Sequence, residues 1–516
     1  MLKRFKTISH NVYEFILKYE HILLCLLITV GIVVRLFGIA DTPVGLNQDE
    51  ASTGYEAFSI LTSGMDRNGD TFPVLLTSWG SGQNVLYTYL SIPFIAIFGL
   101  NVFSVRLLSA LVGCATLVIF YLLAKKIKGS AFALVSLLLL VINPWNIMIS
   151  RWALESNLLP FCLLLGIYFT VLSFDKPKFL IGAAIAFGIS LYAYGTAFIF
   201  LPTFLIAVVI YMAVTRKLKL RCFIPALLIF AVIAFPITLC NVINSLKLEE
   251  IKILGVTLPI LTETRQASTM SLDFMTMKEN FRSLIKLLFS GTDELPFNSF
   301  LPYGTMYFFG IWLSIGGVVV GIIKMIKEKR AMHLIMIFAL LSSLIAGLFI
   351  DININRINMI FLPLIYFEAV FVHWIFTKIK LFSALPIVAL CAVFVMFINS
   401  YFTDFNDTVD YLYFDGFGEA LTYAESVCEN ENIYITRYVN QPYIFVLFYN
   451  QIPVDEFIST VVYENESSPF REVLSFSKYR FTYFFHTEGL YVIHTAHAGN
   501  MEILKTFGNY SVCRKQ

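Results

Sequence analysis

The chain has 516 residues, of which 58% are hydrophobic and only 14% charged. Soluble domains carry about 25% charged residues, and with a mean hydropathy of +0.76 an ordinary soluble protein is excluded in favour of an α-helical polytopic membrane protein. The formal net charge of +2 gives no reason to expect a nucleic acid or an acidic partner.

Residues 1–20 carry Lys3, Arg4, Lys6 and Lys18, which predicts a cytoplasmic N-terminus by the positive-inside rule. The first apolar run, residues 22–40, is long enough to cross a bilayer. No small-residue cleavage site follows it, so it reads as a retained helix rather than a signal peptide. Later basic clusters fall between apolar runs at Lys125/Lys126/Lys128, Lys176/Lys178, Arg216/Lys217/Lys219/Arg221, Lys324/Lys327/Lys329/Arg330 and Lys378/Lys380. Placed inside with the N-terminus, they bring 19 of the 37 Lys and Arg residues to one side with only Glu14, Glu20, Asp175 and Glu328.

That asymmetry decides how residues 83–100 are read. They are apolar enough to cross, but a crossing there would turn Lys125-Lys126-Ile127-Lys128 and every later basic loop outward. The expectation is an interfacial or re-entrant helix inside a long first external loop, residues 41–102, packed on protein as such backbone requires. Eleven spans follow, near residues 21–40, 103–124, 130–149, 157–174, 178–194, 196–214, 222–240, 304–326, 331–349, 356–376 and 381–401. The membrane module is then residues 21–402, and the C-terminus is extracytoplasmic. A second external loop, residues 241–303, holds an amphipathic stretch at 272–289. The tail, residues 403–516, reads as a small α/β domain, with helices at 417–428 and 443–449 and strands at 432–437, 479–485 and 490–495. Cys428 and Cys513 lie outside the membrane segments and are the one pair available for a disulfide there. The chain contains no Walker or dinucleotide motif and no metal-ligand spacing, so neither a metal nor an organic cofactor is expected.

Ionisable groups in or beside a membrane are costly and are functional candidates by default. The external mouths hold Asp49, Glu50, Arg151, Glu155 and Arg356, with Arg35 and Arg106 near the same surface. Asp49 and Glu50 are the candidate reaction centre, since a carboxylate can take a proton from an acceptor hydroxyl. The arginines suit a phosphate. For Arg35 and Arg106 the alternative is snorkelling to headgroups, and for Arg151 with Glu155 a plain surface ion pair. Tyr192 and Tyr194 sit where two spans meet outside, as substrate contacts or aromatic-belt anchors. Glu368 and His373 are read as packing.

The stretches Asn47-Gln48-Asp49-Glu50-Ala51, Gly54-Tyr55-Glu56-Ala57, Gly69-Asp70-Thr71-Phe72-Pro73 and Phe98-Gly99-Leu100-Asn101 with Arg106-Leu107 resemble the first external loop of bacterial protein-mannosyltransferase-like proteins. These are C-type (GT-C) membrane glycosyltransferases, a group that includes protein O-mannosyltransferases and the lipid A aminoarabinose transferase. Ser150-Arg151-Trp152-Ala153-Leu154-Glu155, Leu191-Tyr192-Ala193-Tyr194 and Asn355-Arg356-Ile357-Asn358 resemble later motifs. The resemblance is good over residues 20–215, patchier to 400 and weak in the tail. It implies Asp49 as catalytic base with Glu50 beside it, Arg151 and Glu155 lining the second face, and Arg356 beside a lipid phosphate. The sequence departs from the pattern at Gln83-Asn84-Val85-Leu86-Tyr87, where relatives carry a lysine, and at Tyr194-Gly195-Thr196-Ala197, which lacks the usual basic residue.

The expected activity is transfer of a sugar from a polyprenyl-phosphate donor to an extracytoplasmic acceptor at the plasma membrane. Two other readings stand beside it. A lipid-sugar transporter would show internal repeats or midplane charges, and a non-catalytic relative would use the tail as a receptor.

Overall fold

The apolar runs fold as helices because backbone groups in a bilayer must pair within their own segment. The computed structural model describes residues 18–79, 81–253, 255–261, 273–328, 333–378, 385–429, 431–465, 468 and 471–516. Among them seven helices are long and apolar enough to cross a membrane, namely Val102–Lys128, Glu155–Ser173, Ala197–Val214, Leu220–Leu246, Tyr307–Lys327, Asn358–Lys378 and Leu385–Thr403. Four further expected spans appear as shorter helices, Glu20–Leu36, Ser130–Val141, Pro177–Ser190 and His333–Phe349. One of these is shortened by a break, since Asn143 caps a new helix with Pro144 at its first position, and Pro144–Ile149 continues from there. At one end of the bundle Lys125 pairs with Glu20 at 2.6 Å and Lys126 with Asp175 at 2.5 Å. Three segments assigned to one side by charge therefore do meet.

At the other end residues 41–102, the first loop, fold as the helix Gln48–Ser63, the hairpin β1 (Leu75–Ser78) and β2 (Ser81–Asn84), and the helix Leu86–Phe98. The last has 13 residues, about 20 Å of helix, which is short of the ~30 Å hydrocarbon core. A second hairpin, β3 (Ile251–Ile253) with β4 (Val256–Leu258), docks onto this loop. Val74 N donates to Thr257 O at 2.9 Å, and Thr257 N to Thr71 O at 3.0 Å. The amphipathic stretch of the second loop is the helix Phe274–Ser290, which buries Asn280, Leu284 and Leu287. The first residue of that stretch as expected from sequence, 272, lies outside the described residues.

The tail carries strands β5 (Ile433–Thr436), β6 (Val462–Tyr463), β7 (Val473–Phe476), β8 (Tyr479–Thr482), β9 (Gly489–His494), β10 (Glu502–Phe507) and β11 (Tyr510–Lys515). They form one seven-stranded sheet in the order β10-β11-β9-β5-β8-β7-β6, with β5 parallel to both β8 and β9. The expected strands correspond to β5, β8 and β9. The four others, and the helix Val454–Thr460, are additions to the sequence reading. Cys428 and Cys513 are both free. Cys428 Sγ donates to Glu431 O at 3.2 Å, while Cys513 is buried within β11.

This domain sits directly on the first loop. The helix Pro442–Tyr449 packs on Gln48–Ser63, and the approach needs a glycine, since a Cβ on Gly54 would lie 2.6 Å from Phe448. Tyr55 Oη donates to Ile452 O at 2.9 Å, and Leu46 N to Tyr413 O at 2.8 Å.

Candidate functional site

The helix Gln48–Ser63 starts at a capping box. Asn47 Oδ1 accepts from Asp49 N at 2.9 Å, and Glu50 Oε2 accepts from Asn47 N at 3.2 Å. Adjacent side chains on a helix diverge by about 100°, and here that sends the two acids to different places. Glu50 is fully buried. Its Oε1 and Oε2 accept from Arg106 Nε and Nη2 at 2.8 Å each, and Oε1 also accepts from Ala153 N at 2.8 Å. Arg106 spends its remaining donors on Ile39 O, Pro43 O and Gly45 O at 3.2, 2.6 and 2.9 Å. This bidentate pair ties the first loop to the helix Val102–Lys128 and to the segment after Arg151. Neither side chain is available to a substrate.

Arg151 is equally enclosed. Its Nη1 donates to Val34 O at 2.9 Å and Arg35 O at 3.3 Å, and its Nη2 to Gly38 O at 3.0 Å and Thr42 O at 2.9 Å. It caps the carbonyl end of the first helix, where a cation also complements the helix dipole. Arg35 reaches inward to Asn146 Oδ1 at 2.6 Å. For Arg35 and Arg106 the snorkelling alternative therefore fails, because both are 0% exposed. Arg151 is not a surface ion pair with Glu155 either. Glu50, expected in the reaction centre, and Arg106 and Arg151, expected as substrate contacts, are all enclosed by protein partners here.

Asp49, Glu155, Tyr194 and Arg356 come together around one cavity of about 310 Å³. Glu155 is fixed by the backbone N–H of Asn84, at the end of β2. Arg356 rises from a loop pinned by Asp293, whose Oδ2 accepts from Ile354 N at 2.9 Å and from Asn298 Nδ2 at 2.7 Å. No acid follows Arg356 within the next ten residues. One precedes it, for Asp351 Oδ2 lies 3.7 Å from Nη1, but at that distance the guanidinium keeps most of its donor capacity for a ligand. Tyr192 is absent from this cavity. Its hydroxyl donates to Ile233 O at 2.8 Å, and its ring lines an adjoining apolar groove with Phe72 and Tyr89. Tyr192 therefore stands apart from the group around Asp49.

The cavity has walls that the sequence did not announce. Trp79 and Gln83 from the β1–β2 hairpin, Trp152, Asn355, and Leu412, Phe414 and Asn440 of the C-terminal domain all line it. Trp79 Nε1, Trp152 Nε1, Gln83 Oε1 and Asn355 Oδ1 are buried without a protein partner. Buried polar atoms are normally paired, and these four lie in the cavity wall, sealed from the space it encloses. Trp79 also stands at φ 47°, a left-handed backbone that costs an ordinary side chain of order 1–3 kcal/mol. The only sequence sign of this corner was a cluster of Ser and Gly around Trp79.

Residues 84–242 match the family described as dolichyl-phosphate-mannose-protein mannosyltransferase. Among solved structures the chain is similar to ArnT from Cupriavidus metallidurans. With the apo form the TM-score is 0.57 at 13% identity, over 95% of this chain and 97% of that one. With the form bound to undecaprenyl phosphate it is 0.54 at 13% identity, over the same shares. No curated protein matches the chain. The fold is that of ArnT, a bundle of apolar helices with a β-rich C-terminal domain, and residues 84–242 carry the sequence pattern of the mannosyltransferase family model.

Proposed function

We propose that the protein transfers a sugar from a polyprenyl-phosphate carrier to an acceptor on the extracytoplasmic side, with Asp49 as general base. The observation that carries this reading is the shared cavity, which joins two carboxylates outside the buried ion pair, Asp49 and Glu155, to a half-buried arginine, Arg356. Asp49 takes the proton of the attacking acceptor hydroxyl. The glycosyl carbon–oxygen bond to the carrier phosphate breaks as the new bond forms, and Arg356 holds the phosphate that leaves. Glu155 and Tyr194, with the rings of Trp79 and Trp152 in the wall, orient the sugar. Arg106, Glu50 and Arg151 keep the Asp49 helix and the second external segment in register. In this reading residues 41–102 and 403–516 are extracytoplasmic, and the lipid-linked donor enters from the bilayer. A polyprenyl phosphate bound to ArnT of the same fold supports that class of donor.

The test is donor binding. Arg356→Ala should weaken binding of a polyprenyl-phosphate sugar strongly. Arg356→Lys should weaken it less, since lysine keeps the charge but loses the two-pronged contact. Equal affinity in wild type and Arg356→Ala would remove the phosphate from this end of the cavity.

A further inference from the structure

A second groove, of about 830 Å³, opens on the C-terminal domain. It shares no lining residue with the cavity around Asp49. One wall comes from three parallel neighbours at their carboxyl ends, and the other from Glu502, Arg514 and Lys515, which lie level with the amino end of β9. β5 runs out into Tyr438, β8 into Tyr483 and Phe484, and β9 into the turn bearing His497. From β5 the chain goes on to β6, β7 and β8 on one side of the sheet, then to β9, β10 and β11 on the other. The strand order therefore reverses at β5. The aromatic wall stands outside the carboxyl ends of strands at such a reversal, the place where open α/β sheets bind ligands.

The surface of this groove has a definite chemistry. Tyr438, Tyr483 and Phe484 are 61%, 42% and 71% exposed, a concentration of aromatic area that folding alone leaves unexplained. The rings are nonetheless held in place. Arg437 lies over Tyr483 at 4.8 Å and is itself anchored by Glu464 and Glu472. Tyr438 stands edge-on to Tyr483 at 5.3 Å and against His497 at 5.0 Å. Asn500, Glu502, Arg514 and Lys515 border the rings with donors, acceptors and charges of both signs. The mixed charges suit a polyanion poorly, and a lipid tail would leave the polar border unpaired.

We propose that this groove binds a short saccharide chain. The C–H faces of pyranose rings stack on the electron-rich faces of Tyr438, Tyr483 and Phe484, and the ring hydroxyls pair with Asn500 and Glu502. A pocket of this size, with an aromatic body and a few convergent polar groups, is of the kind that holds a small ligand. Such a site would retain an acceptor or product glycan beside the membrane. The binding itself does not depend on the transfer chemistry.

The test uses full-length protein in lipid nanodiscs, applied to a printed array of defined oligosaccharides. Wild type and Asp49→Asn should retain the same oligosaccharides. Tyr438→Ala combined with Phe484→Ala removes only exposed rings, and should lower affinity for them about ten-fold or more. Thermal unfolding of the double variant should match wild type. Retention no greater than that of protein-free discs would overturn the proposal, as would a folded double variant that binds like wild type. If Asp49→Asn keeps full transfer activity while the groove still binds sugar, the transfer reading fails and this one stands.

Discussion

Arg106→Met tests whether the acid next to the proposed base is framework rather than chemistry. The substitution keeps a long side chain but leaves the Glu50 carboxylate fully buried. Two charge-assisted bonds of 2.8 Å are lost, as are the donors to Ile39 O, Pro43 O and Gly45 O. Breaking one partner out of a buried ion pair costs about 3–5 kcal/mol. That corresponds to roughly two to three and a half powers of ten in the unfolding equilibrium. Glu50→Gln in the same background removes the stranded charge, so the double variant should regain part of the loss, with a coupling of about 0.5–3 kcal/mol. Denaturant unfolding in detergent micelles, at constant m-value, measures both quantities. Glu50→Gln alone should lose stability yet keep transfer per folded molecule. An Arg106→Met protein within about 1 kcal/mol of wild type, or strictly additive single effects, would refute the framework assignment.

Gly54→Ala should destabilise by about 1–3 kcal/mol, because the new methyl would lie 2.6 Å from Phe448 and 2.7 Å from Val105. Phe448→Leu should restore part of the loss, and an unchanged unfolding midpoint would mean that the domain contact is looser than drawn. Asp70 gives a pH signature. Burial, then the Asp66 charge and the Glu250 carboxyl, push its pKa from 3.8 up to about 7, against the pull of Lys252. A raised carboxyl favours folding below its unfolded pKa, and that stability is lost as pH rises from about 4 through 7. The thermal midpoint of wild type should therefore fall relative to Asp70→Asn across that range, and parallel curves would dismiss the coupling between the first loop and the β3–β4 hairpin.

Much of the bundle was legible because a bilayer enforces a simple code. Apolar runs of about twenty residues become helices, and the clustering of Lys125, Lys126, Asp175 and Glu20 at one end follows from where charge is tolerated. Helix breaks at Pro144 shorten segments that composition alone joins. In the tail, β5, β8 and β9 announce themselves by apolar, β-branched runs, whereas β10 and β11 are largely polar and become strands through each other and through the sheet edge. Asp49, Glu155, Tyr194 and Arg356 were legible as polar groups at helix mouths. Glu50, Arg106 and Arg151 have the same one-dimensional signature, and only burial separates a buried clamp from a binding group. Trp79, Trp152 and Asn440 were not legible, since their role rests on which loops the C-terminal domain brings together.

The central claim is that Asp49 removes a proton during sugar transfer, and Asp49→Asn addresses it most directly. The exchange keeps size and hydrogen bonding but cannot accept that proton. In purified protein with a polyprenyl-phosphate sugar and a hydroxyl acceptor, turnover should fall by about 10²–10⁴-fold, with donor affinity and unfolding midpoint near those of wild type. Transfer at the wild-type rate by folded Asp49→Asn protein would contradict the account.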